Sequence, residues 1–197
     1  MGIEEAWLIP TYGFIAFGVL AVFGRYLPVP GKYLSVGAIV LAFVTFWPVL
    51  FDFVSRGVGE HHLPRKWFTA GDVSVGSGMI VDPLTIVMLA LVTFVAMLVQ
   101  IYSLGYMKGE PRFGWYFAVH SLFAAAMLTL VLADNFLLLY VAWELVGICS
   151  YLLIGFWHER PAAKEAAKKA FIVTRIGDVG LLIGILLIWR EVGSFSM

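Results

Sequence analysis

The run Phe136-Leu-Leu-Leu-Tyr-Val-Ala-Trp-Glu-Leu-Val-Gly-Ile-Cys-Ser-Tyr151 carries a single charged side chain, Glu144, in an otherwise apolar or small-residue stretch. Extended to Asn135–Phe156, it is long enough as a helix to cross a hydrocarbon core of about 30 Å, which needs about 20 apolar residues. At about 1.5 Å per residue, Glu144 falls roughly 14 Å from the Asn135 end, near the bilayer midplane. An acidic side chain there costs about 2.5–3.5 kcal/mol to insert, so it must face other helices and be paired, hydrated or protonated.

Five further stretches have the same character: 6–23, 34–53, 80–102, 113–133 and 170–189. The chain is 61% hydrophobic and 13% charged with a mean hydropathy of +0.93, well above soluble domains. The expected fold is all-α, a polytopic bundle of about six transmembrane helices forming one domain over residues 1–197. Asp82-Pro83 opens the third span as an N-cap followed by proline at the first helical position. The long connection 54–79 is rich in Gly, His, Pro and charges, and 73–78 reads as a short strand or hairpin within it.

Charge placement gives a topology. Arg25, Lys32, Lys108, Arg112, Arg160, Lys164, Lys168 and Lys169 fall on one side, against Arg56, Arg65, Lys66 and Arg190 on the other. The positive-inside rule then puts the odd-numbered loops in the cytoplasm and both termini outside, as a multi-pass protein of a cell inner membrane such as the bacterial plasma membrane. The acidic start, Met1-Gly-Ile-Glu-Glu5, is unlike a cleaved secretory signal, so the first helix is expected to be retained. The 162–170 run, Ala-Ala-Lys-Glu-Ala-Ala-Lys-Lys-Ala, favours helix and is expected at the membrane surface, with Lys164 and Lys168 on one face. They are read as topology-setting cations or as a docking site.

Zero net charge gives no general nucleic-acid-binding surface, and one cysteine, Cys149, supplies neither a disulfide nor an iron–sulfur ligand set. No phosphate-binding glycine loop or nucleophile elbow is present either, so no cofactor or metal is expected on this chain and no redox step. The candidates for proton chemistry are four. Glu144 shares a helix face with Tyr140, Gly147 and Tyr151, two hydroxyls and one gap. Arg175 and Asp178, three apart, can pair within the sixth helix, and antiparallel neighbours bring Asp178 within about one turn of the depth of Glu144. The alternative for this pair is charge neutralisation that fixes packing. His120, in the fourth helix, is the weakest: an imidazole can relay protons, but a lone histidine is more often a packed, hydrogen-bonded one. Gly177, Gly180 and Gly184 form a smooth stripe read as helix packing.

Three segments, Ile101–Met107, Leu132–Trp157 and Ala166–Gly180, together resemble the antiporter-like subunit L family of NADH-quinone oxidoreductase, respiratory complex I, called subunit 5 in mitochondria. The resemblance runs roughly from Asp82 to Trp189. It implies that Glu144 moves protons together with lysines on later helices, driven by distant quinone reduction, and that Arg175 and Asp178 belong to the same charge network. It further implies other membrane subunits as partners, with NADH, FMN, iron–sulfur clusters and quinone held in those subunits. The family carries more helices than this chain, so the chain is expected to be an N-terminal part. A sodium/proton antiporter large subunit resembles the same helices, as do hydrogenase membrane subunits, and a non-transporting scaffold or assembly protein is the rival of a different class.

Overall fold

The computed structural model describes residues 2–24, 26, 30–70 and 73–197. Its elements are a 3₁₀ turn (Ile3–Glu5), α1 (Leu8–Phe23), α2 (Pro30–Arg56), the strands β1 (His61–Leu63), β2 (Lys66–Ala70), β3 (Val73–Gly76) and β4 (Met79–Val81), then α3 (Pro83–Tyr106), α4 (Phe113–Leu132), α5 (Phe136–Ile154) and α6 (Pro161–Val192). Six helices among the described residues are long and apolar enough to cross a membrane, as the hydrophobic runs predict. Arg25, one of the basic residues in the topology count, lies outside the described residues.

The six helices are unequally packed. Along their apolar stretches α4 is 61% buried while α5 and α6 are each 11% buried. The reason lies first in position, since α4 packs against α1, α2, α3 and α5 while α6 packs mainly on α5, and Ala118, Ala124, Ala125 and Ala126 let the neighbours of α4 approach closely. The tightest approach is to α1, where a Cβ on Gly13 would lie 2.9 Å from Ala125 Cβ and 3.0 Å from the Ser121 carbonyl oxygen. The α1–α4 core is filled by Ile9, Phe46, Val49, Leu89, Leu128 and neighbouring apolar residues.

One end of the bundle is tied by polar contacts between the connections. Asp82 caps α3, accepting from the Thr85 amide at 2.6 Å with Pro83 at the first position, as its sequence predicts. Asn135 caps α5 by accepting from the Leu138 amide at 2.8 Å, and its Nδ2 donates to the Gly76 carbonyl at 3.0 Å. The long connection also holds two antiparallel strand pairs, β1 with β4 and β2 with β3, and the second takes in 73–76 of the expected 73–78. Ile3 donates its amide to Asp52 Oδ2 at 2.8 Å, and Arg56 Nε meets the same oxygen at 2.9 Å, fixing the 3₁₀ turn to the end of α2.

Two expectations change. The sixth helix, expected from Ala170, begins at Pro161 and takes in the lysine-bearing run 162–170, because α6 runs without a break from Pro161 to Val192. A change from polar to apolar side chains leaves the backbone hydrogen-bond ladder intact, and no proline or glycine intervenes before Gly177. Among the described residues, none packs closely on the Gly177, Gly180 and Gly184 stripe either, since a Cβ at any of the three would find open space within 4 Å.

Candidate functional site

Glu144 is the ninth residue of α5, midway along a helix of 19 residues. Arg175 and Asp178 stand one turn apart on α6, which packs antiparallel to α5. The geometry joins all three. Arg175 Nη1 contacts Glu144 Oε2 directly and lies 3.5 Å from Asp178 Oδ2, so one guanidinium stands between two carboxylates. Glu144, Arg175 and Asp178 side chains are 20%, 28% and 6% exposed, which makes Asp178 the least accessible of the set.

The surrounding side chains explain how the arginine is held. Gly147, one turn along from Glu144, is the gap expected on that face, and it faces the guanidinium: a Cβ there would lie 3.9 Å from Arg175 Nη2. The Phe171 ring lies under Arg175 Cζ at 4.7 Å, and Tyr151 packs against Phe171 at 5.3 Å between centroids. Planar guanidinium on an aromatic face adds attraction while leaving the N–H edge free for carboxylates.

The sequence reading did not find Trp143. Its indole Nε1 donates to Asp178 Oδ1 at 2.8 Å, so Asp178 is held from both helices. The signal was present in the depth argument, because a residue adjoining Glu144 on α5 must lie near Asp178. An indole in an apolar run reads as hydrophobic, and its one N–H donor is easily overlooked. Trp143, Gly147, Ser150, Thr174 and Asp178 line a cavity of about 160 Å³ between α4, α5 and α6. That is room for several waters beside polar groups.

His120 belongs to a different cluster. It is buried on α4, where its Nδ1 accepts from Gln100 Nε2 of α3 at 3.2 Å. Ser35 Oγ of α2 lies 2.9 Å from Gln100 Oε1 and 2.6 Å from Ser121 Oγ. These side chains are bonded to one another, and none of the contacts described for them reaches the Glu144 triad. Ser35, Gln100 and Ser121 were not anticipated, since single small polar residues in long apolar runs carry no periodic signal. Tyr140, placed by spacing beside Glu144, has no contact described with the triad.

The chain matches two family models: NADH-ubiquinone oxidoreductase (complex I) chain 5 N-terminus over residues 67–117, and NADH:quinone oxidoreductase/Mrp antiporter transmembrane region over 133–197. It is 44% identical over 193 residues to F(420)H(2) dehydrogenase subunit L of Methanosarcina mazei, covering 98% of this chain and 28% of that protein. It is 38% identical over 199 residues to NADH-quinone oxidoreductase subunit L of Mycobacterium tuberculosis, covering 100% of this chain and 31% of that one. The chain therefore spans less than a third of the length of these relatives. Among solved structures, the Mrp complex from Dietzia shares the fold with a TM-score of 0.80 at 24% identity, covering 98% of this chain and 20% of that one.

Proposed function

The chain belongs to the antiporter-like membrane subunits shared by complex I and Mrp antiporters, and from that premise we propose that it carries part of a proton path in a quinone-reducing respiratory complex. The observation that carries the proposal is the ionic triad Glu144, Arg175 and Asp178, lying partway along two membrane-spanning helices. Two carboxylates and one guanidinium leave a net negative charge that one proton neutralises. A cation close to Glu144 favours the ionised carboxylate, and withdrawal of that cation favours proton uptake. Displacement of Arg175 from Glu144 toward Asp178 therefore couples charge position to protonation, and a distant event that shifts either helix drives the cycle. Trp143 keeps Asp178 oriented for that exchange.

On this reading the electron donor, flavin, iron–sulfur clusters and quinone are served by other subunits, and the partners are other membrane subunits of the complex. The two relatives are named for NADH and for F(420)H(2), so the donor is set outside this chain. The basic loops face the cytoplasm of a cell inner membrane. Replacing Glu144 with Gln in the assembled complex is the test: proton translocation in sealed vesicles is lost while electron transfer from donor to quinone persists in uncoupled membranes. An unchanged proton-to-electron ratio refutes the proposal. The Mrp likeness favours a second reading, a sodium/proton antiporter subunit. Sodium-dependent proton exchange without any electron donor would select it.

A further inference from the structure

The cytoplasmic-type basic end holds another pocket, which takes in none of the triad residues and meets their surroundings only at Tyr151. It has a volume of about 350 Å³ and lies where the first turn of α4, the last turn of α5 and the first two turns of α6 meet. Arg112, Lys164 and Lys168 enter it, and its walls include Trp115, Leu152 and Phe156, with no carboxylate among the lining residues described. Two neighbouring acids lie outside that lining: Glu159 pairs with Arg112 at 2.8 Å and Glu165 with Lys168 at 2.9 Å. Both acids are mostly exposed to solvent, at 62% and 69%. Lys164 has no ion pair among the salt bridges described.

We propose that this pocket binds the phosphate head group of an anionic membrane lipid, with the start of its acyl chains along the aromatic wall. Charge and position together favour that occupant. The pocket sits at the ends of the apolar spans, at the depth where head groups meet hydrocarbon, and basic pockets between helices at such depths hold anionic head groups. Trp115 and Tyr151 are 44% and 39% exposed beside it, as aromatic side chains are at membrane interfaces. A free phosphate has no use for the apolar wall, and a zwitterionic lipid has a weaker claim on three cations. Arg112 is braced from below, its Cζ 5.2 Å from the Phe156 ring, so little is lost in ordering it. The inference needs only the membrane-spanning fold and is independent of proton transport.

The test takes the subunit extracted from its own membrane in mild detergent, titrated with phosphatidylglycerol or phosphatidylcholine of the same acyl chains and read by native mass spectrometry. Phosphatidylglycerol is expected to be retained over phosphatidylcholine, with the preference falling about fivefold for each cation removed in Lys164→Gln and Lys168→Gln. Leu152→Trp fills the pocket while leaving every charge, and is expected to abolish retention as well. Retention undiminished in Leu152→Trp would mean diffuse surface charge and overturn the pocket. Displacement by millimolar inorganic phosphate as readily as by lipid would make it a soluble-anion site. No preference in the parent protein, or a photo-crosslinker at position 152 that captures polypeptide instead of lipid, would also overturn it.

Discussion

The bundle solves the problem of polar groups in hydrocarbon in two ways. Where α1 to α4 pack closely, the buried groups are neutral and satisfy one another: Ser35, Gln100, His120 and Ser121. In the thinly covered α5–α6 hairpin they are ions: Glu144, Arg175 and Asp178. Neutral hydrogen bonds between helices contribute modestly, on the order of 0.6 kcal/mol, and fix packing without storing charge. Ion triads are costly to assemble and respond strongly to small displacements, because the Coulomb term steepens where water is scarce. On the proposed function, the close-packed half would supply rigidity and the hairpin response.

The largest expected effect tests that division directly. Arg175→Leu leaves two carboxylates facing each other without their cation, and proton translocation by the assembled complex is expected to fall at least about tenfold. His120→Gln, in the neutral cluster, is expected to retain more than about half of it, since an amide can still bond to Gln100. Equal losses in sealed-vesicle pumping assays would break the comparison. A second contrast is steric. Gly13→Val forces α1 off α4 and should cost about 1–3 kcal/mol in thermal or denaturant unfolding. Gly180→Ala, with open space around it, should stay within about 0.5 kcal/mol. A sensitive Gly180 would mean that a neighbour from outside this chain packs on the stripe.

Trp143→Phe sharpens the picture further by removing one N–H from Asp178 while keeping the ring. A loss of about 0.6 kcal/mol, and at most about 1.7, is expected in stability. The pH dependence of pumping should shift as well, which a merely packed indole would not produce. The smallest effect is outside the membrane. Glu159 is held below the usual carboxylate range, first by a hydrogen bond to its own backbone and then by Arg112 and His158. A depressed carboxylate supports the folded state above its unfolded pKa and loses that support as pH falls through the folded value. The Arg112–Glu159 clasp should therefore persist at mildly acidic pH and open below the ordinary glutamate range. Amide exchange at residues 156–160 followed down in pH would show it, and Glu159→Gln should flatten the profile.

The spans were legible because the apolar runs are long enough to cross a bilayer, and α3 and α5 also open on cap residues, Asp82 and Asn135, whose side chains do what their types predict. Glu144 and Asp178 were legible because a carboxylate in a long apolar helix has few destinations, and antiparallel neighbours share depth. Trp143 was hidden because its polarity matters only once a partner is known. The neutral cluster was hidden because Ser35, Gln100 and Ser121 come from three different helices, and no single helix carries their pattern. The start of α6 was misplaced because hydropathy marks where a membrane ends, whereas a helix ends only where its backbone hydrogen bonding does.

That last feature has a mechanical side. At about 1.5 Å per residue, the 32 residues of α6 form a rod of about 48 Å, some 18 Å longer than the hydrocarbon is thick. Its lysines lie in the first three turns and Arg175 near the middle, on one uninterrupted shaft. A twist applied at the lysine-bearing end would turn the guanidinium by nearly the same angle, so an unbroken α6 could serve as an axle reaching the charge at its middle.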